Sequence, residues 1–161
     1  MAKNVTINTS QISALFNNLS QDKQKEMMMK ALKKGADYLK EQTQKTLLTK
    51  FPKAKDVKGK ANKTMYEGVY IKPNKDYTEV LISIMGNYLN VFFESGTDKR
   101  YLKKDHKPTS ESKLKRTLKK GEYRGEIKPL NFFQDTRKRE SENVTNKITE
   151  IIGEELDKLN K

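Results

Sequence analysis

Residues 65–85, MYEGVYIKPNKDYTEVLISIM, decide the fold of this chain. Over 65–71 the apolar residues Met65, Val69 and Ile71 fall on one face of an extended segment, and over 77–85 Val80, Ile82 and Ile84 do the same. A period of two is the spacing of a half-buried β-strand, whose successive side chains point to opposite faces. Between the runs, Lys72-Pro73-Asn74-Lys75-Asp76 carries the Pro and Asn of a tight turn, so the strands are expected to pair as an antiparallel hairpin. Leu81 and Met85 lie on the opposite face of the second strand, which predicts that a helix or another subunit covers that face as well.

Helical periods flank the hairpin on both sides. Upstream, Met28, Leu32, Gly35, Ala36, Leu39, Thr43 and Leu47 recur at steps of three and four, predicting a long helix over 20–49 after an N-terminal extension, 1–18. Ser20 or Asp22 is placed to cap its start, and Pro52 forbids continuation beyond its end. Met27-Met28-Met29 reads as core filling or a packing surface. A glycine inside a helix costs about 1 kcal/mol relative to Ala, so Gly35 implies close approach of another backbone. Downstream of Pro129 the period resumes through Phe133, Val144, Ile148, Ile151, Ile152, Leu156 and Leu159. The first half of that second helix, 134–143, is wholly polar, so it faces solvent or a polar interface. Helix, hairpin and helix in succession predict a single α+β domain over 1–161, with a small antiparallel sheet between two long helices.

The core available to this fold is thin. Lys and Arg number 34 against 21 Asp and Glu, a net charge of +13, and apolar residues make up 34% of the 161. Leu, Ile, Val and Phe number 35, just above the share of roughly 20% below which a highly charged chain stays disordered. The absence of Cys excludes disulfides, thiolate metal sites and cysteine nucleophiles, and the single His106 argues against a Ser-His-Asp triad and His-rich metal sites. His106 sits beside Asp105 among lysines and reads as a solvated side chain. No apolar run approaches the ~20 residues of a membrane span, and the polar N-terminus lacks the apolar core of a signal peptide. These features predict a soluble chain made in the cytosol, with no membrane partner and no cofactor.

Three connecting segments carry the remaining information. The lysine-rich 51–64 lacks a period and reads as a mobile loop; around Gly59-Lys60-Ala61 it also lacks the GxxxxGK[ST] spacing that cradles phosphates. After Gly86 an apolar patch, Tyr88-Leu89-Asn90-Val91-Phe92-Phe93, closes at Glu94-Ser95-Gly96-Thr97. Glu94 beside Phe92 and Phe93 is a candidate acid, but no second carboxylate accompanies it. The stronger reading is a turn in which it accepts backbone or hydroxyl hydrogen bonds. Over 98–128 the chain makes a basic excursion, in which 99–128 holds 12 Lys and Arg against 4 Asp and Glu. It reads as a long solvated loop with a short helix or extra strand around 111–120. Lys99, Arg100, Lys103, Lys104, Lys113, Arg116, Lys119 and Lys120 are its candidate contacts to DNA or to an acidic partner, with Tyr101 and Tyr123 interleaved for base stacking.

The segment Ala31-Leu32-Lys33-Lys34-Gly35-Ala36-Asp37-Tyr38-Leu39, the loop with Pro52 and Gly59, Tyr88 followed by Phe92-Phe93-Glu94-Ser95-Gly96-Thr97, and Pro129-Leu130-Asn131-Phe132-Phe133 stand in one order. In that order, over about residues 15–159, the chain resembles the tail-component family of long-tailed bacteriophages, the head-tail joining or tail-completion proteins. Ser95 stands in place of the family's usual aromatic and Thr136 in place of a small Ala-like residue, and the basic excursion is longer than the family's link. The resemblance implies a non-enzymatic structural protein forming a ring, six-fold in the virion, between the capsid neck and the tail tube. It implies structural roles for Tyr88, Phe92, Phe93, Glu94, Gly96, Thr97, Pro129, Phe132 and Phe133. The implied partners are further copies of the chain, connector or neck proteins, tail-tube proteins, and DNA passing through the ring. The implied location is the virion, after assembly in the bacterial host cytoplasm. The alternative is a basic nucleic-acid-binding protein acting through 99–128.

Overall fold

Two long helices frame the molecule in a computed structural model that describes residues 16–74, 79–101 and 121–159. Helix α1 spans Gln21–Lys50, about 45 Å at 1.5 Å per residue. Ser20 holds the N-cap position with extended backbone, but its side chain makes no capping bond. The start is tied down instead by Gln24, whose side-chain amide donates to the carbonyls of Phe16 and Leu19 at 3.1 and 3.0 Å. Pro52 ends the helix as expected and opens a 3-10 turn, Pro52–Lys55. The segment 51–64, read from sequence as a loop, is folded around this turn, with Ala54 fully buried and an isolated bridge joining Lys58 to Thr64.

The hairpin exists and its strands are short. Strand β1 is Tyr70–Pro73 and strand β2 is Val80–Ser83, paired antiparallel with Ile71 opposite Ile82 and Lys72 opposite Leu81. The expected strand over 65–71 loses its first half to turn structure, because Thr64 and Glu67 close a reciprocal side-chain pair. Glu67 Oε2 accepts from Thr64 N at 2.8 Å, and Thr64 Oγ1 accepts from Glu67 N at 3.1 Å. Such a Thr-x-x-Glu box satisfies backbone donors locally and competes with the sheet ladder. Residues 75–78, and with them the start of the expected strand at Tyr77, lie outside the described residues.

Beyond Gly86 the apolar patch forms a short helix, α2, Leu89–Ser95. The last helix, α3, is Phe132–Leu159 and packs antiparallel along α1. Lys50 pairs with Asp135 at one end of the seam and Lys30 with Glu155 at the other. The core lies at the first of these ends. There Leu47, Ala54, Met65, Val69 and Phe132 are buried together, with Phe51, Ile82, Leu89, Phe93 and Leu130 packed against them. Two strands of four residues have no independent stability, so their inner face depends on this contact with α1.

The polar first half of α3 faces α1. Glu140 is buried and accepts hydrogen bonds from Tyr38 and Asn143, while buried Thr136 donates to Phe132 O at 2.7 Å with its hydroxyl oxygen 2.8 Å from that of Thr46. Farther along, Ile148 Cγ1 stands 2.7 Å from where a Cβ on Gly35 would lie. The close approach expected at Gly35 is therefore made by side chains of α3, not by another backbone.

Candidate functional site

The two signature segments, 88–97 and 129–133, fold into one hydrogen-bonded unit. Helix α2 directs Leu89 and Phe93 inward, with the Phe93 ring 4.7 Å from that of Phe51. It turns Tyr88, Val91 and Phe92 outward, at i, i+3 and i+4, where Tyr88 and Phe92 meet edge to face at 6.0 Å. Asn90, the polar residue within the patch, is fully buried and donates to Met65 O and Ile84 O at 3.0 and 2.9 Å. Asn87 accepts from Leu89 N at 3.0 Å and caps the helix through its side chain.

Glu94 is the hinge of the unit. Its Oε2 accepts from Phe133 N and its Oε1 from Gln134 N, both at 2.9 Å. Those N–H groups open α3, whose first turn has no partners within its own helix, and the helix dipole favours a carboxylate there. The backbone hydrogen bonds expected of Glu94 are thus real, but their donors belong to α3 rather than to the Ser95-Gly96-Thr97 turn. Main-chain bonds run alongside, from Leu130 N to Phe93 O and from Asn131 N to Glu94 O. Gly96 has φ +75° and a Cβ there would lie 2.8 Å from Ile127 O and from Pro129 Cδ, so both backbone conformation and space require glycine.

Thr97 starts the basic excursion by closing its base. Thr97 N donates to Ile127 O at 2.8 Å and Ile127 N to Thr97 Oγ1 at 3.0 Å. Above them Arg124 N donates to Arg100 O at 2.7 Å, and Tyr101 bridges to Tyr123 with rings 5.6 Å apart. The two interleaved tyrosines are therefore neighbours, both exposed, on an antiparallel stem that also presents Lys99, Arg100 and Arg124. Lys103, Lys104, Lys113, Arg116, Lys119, Lys120 and His106 lie outside the described residues, as does the helix or strand expected around 111–120.

The outer apolar face expected to be covered is open among the described residues. Leu81 is 57% and Met85 72% exposed on β2 and its continuation, and Phe92 is 43% exposed on α2. No group of three or more His, Cys, Asp or Glu among the described residues is placed to hold a metal ion. Two shallow clefts among the described residues lie elsewhere, between the far ends of α1 and α3, both lined by Lys30, Glu155 and Lys158.

Sequence reading missed the network around Glu140. Hydrogen bonds from Asn143, Arg139 and Tyr38 hold its carboxyl down at about 2, against burial that pushes the other way. Its only signal in sequence is an unbroken polar run at the start of α3. Compared with family models, with curated proteins and with solved structures, the chain finds no match in any of the three.

Proposed function

We propose that this chain is a non-enzymatic structural protein of a bacteriophage or prophage. In this reading it joins the tail to the capsid neck as a ring-forming tail-completion or head-tail connector component. The observation that carries the reading is the open apolar face of α2 and β2. Leu81, Met85, Tyr88, Val91 and Phe92 are all exposed in a chain whose core is thin. A subunit of this kind gains the burial it lacks by packing against neighbours, and head-to-tail contacts that close make rings. The signature residues support the subunit from within: Glu94, Gly96 and Pro129 lock α2 to the start of α3, which fixes the outward face of α2. Partners are further copies of the chain, neck and tail-tube proteins, in the virion and in the host cytoplasm during assembly.

Light scattering coupled to size-exclusion chromatography, over a concentration series at low and high salt, tests this. A closed oligomer forming as concentration rises is the expected result. A persistent monomer at the highest concentration, shifting only into a salt-sensitive complex with short duplex DNA, overturns it in favour of a second reading.

That second reading is a basic nucleic-acid-binding protein acting through 99–128, and the Tyr101–Tyr123 pair on its arginine-bearing stem favours it. It predicts DNA affinity that falls steeply with salt, with a slope that shrinks when Lys103, Lys104, Arg116 and Lys119 are changed to Ala.

A further inference from the structure

The lysines between α1 and β1 play no part in either reading. The connection carries Lys53, Lys55, Lys58, Lys60 and Lys63 against two acidic residues, Asp56 and Glu67, and all five lysines are exposed. None of the five is in an ion pair among the described residues. The carboxylate of nearby Glu67 is engaged by Thr64 N and Thr64 Oγ1 at 2.8 and 3.0 Å.

The backbone beneath these lysines is built. Gly59 N donates to Lys63 O at 2.9 Å, Met65 N to Val57 O at 3.0 Å and Tyr66 N to Ala54 O at 3.1 Å. Buried Asn87 reaches in from the start of α2 and donates its side-chain amide to Lys63 O at 2.9 Å. A Cβ on Gly59 would stand 2.6 Å from Asn87 Oδ1, so the chain passes that point as glycine. The fold thus holds five like charges on one short folded loop, which costs self-repulsion in the free protein and is recovered when a polyanion binds.

We propose that this folded lysine loop docks on the phosphate backbone of duplex DNA, at a surface separate from the basic excursion. The residue types select that partner. Protein interfaces are enriched in aromatic residues, Met and Arg and depleted in Lys, and the loop has no Arg. Its larger apolar residues point inward: Met65 is buried with Ala54, and Val57 packs against the core. Single strands need aromatic platforms for their bases, and the one ring at hand, Tyr66, has Lys55 Nζ over its face at 5.1 Å. Point charges with no further chemistry suit a sequence-independent run of phosphates.

The test is fluorescence anisotropy of a short labelled DNA duplex titrated with the full chain across a salt series. Each phosphate neutralised contributes about 0.9 to the slope of log affinity against log salt, so Lys53→Gln, Lys58→Gln, Lys60→Gln and Lys63→Gln together should lower the slope by about 3 to 4 and weaken low-salt binding at least roughly tenfold. The thermal midpoint of that variant should match or exceed the parent's, because fewer like charges repel one another, and each single substitution should take its own share of the slope. A slope unchanged in the fourfold variant but lowered by Arg100→Gln with Arg124→Gln overturns the proposal, as does absence of duplex binding at low salt. Equal affinity for a single strand, duplex RNA or polyglutamate also overturns it. The salt slope is taken from the midpoint of each titration and not from its amplitude, which follows the mass of the complex, so failure here and failure of ring formation are separate results.

Discussion

Glu94 directs both carboxylate oxygens at the first N–H groups of α3, and Gly96 two residues later lets the chain turn away beneath Pro129. Replacing Glu94 by Ala leaves two helix-opening donors without acceptors. The expected cost is about 1–2 kcal/mol by urea denaturation, with Glu94→Gln intermediate because an amide has one acceptor oxygen. An unchanged midpoint for Glu94→Ala would show that water or another acceptor replaces the carboxylate without loss. That Glu94 accepts backbone hydrogen bonds was legible from its place after an apolar run and before a turn. The identity of the donors was not, because they lie 39 and 40 residues away in sequence. Asn90 marks the same limit: a polar residue inside an apolar run is visible, but its duty to the carbonyls of Met65 and Ile84 needs the fold to bring them together.

Between elements, the seam of α1 and α3 changes character along its length. At Gly35 it is apolar and close, so Gly35→Leu over-packs against Ile148 and Val144. The expected destabilisation is about 1–3 kcal/mol, read from thermal or chemical unfolding. Nearer the core it is polar, with Glu140 held at about 2 by its hydrogen-bond donors, well below the ordinary 4.5. A carboxyl depressed in the folded state contributes stability that is complete above its unfolded value and lost as pH falls through the folded one. The melting temperature of the native chain should therefore fall between pH 4.5 and about 2 more steeply than that of Glu140→Gln, whose amide does not titrate. Parallel curves would remove Glu140 from the acid response. The helical period of α1 and the polar half of α3 both stood in the sequence. The shortened strand β1 did not stand out, because the period of two across Met65, Val69 and Ile71 competes with the Thr64 and Glu67 side-chain box, and the local bonds win.

At the scale of the whole molecule, an open apolar face and two basic surfaces sit on a frame of two helices. Phe92→Asp with Tyr88→Ser removes the edge-to-face pair of two partly exposed rings, so monomer stability should fall by about 1–2 kcal/mol without loss of the fold. Self-association should be lost, checked by light scattering beside a thermal melt; association at the native concentration would move the contact to another surface. Composition, hydrophobic period and turn residues by themselves determined that this chain is α+β, with a hairpin between two long helices and a basic excursion before the last, because those signals are local and repeat within a few residues. Tertiary structure alone decided that the two signature segments are one unit closed by Glu94, and that Tyr101 and Tyr123 meet on a stem. It also decided that the lysine loop is folded around Asn87 and that the outer face of α2 stays open. Each of these joins residues far apart in sequence, and which distant donor, ring or helix face they meet is set only when the chain packs.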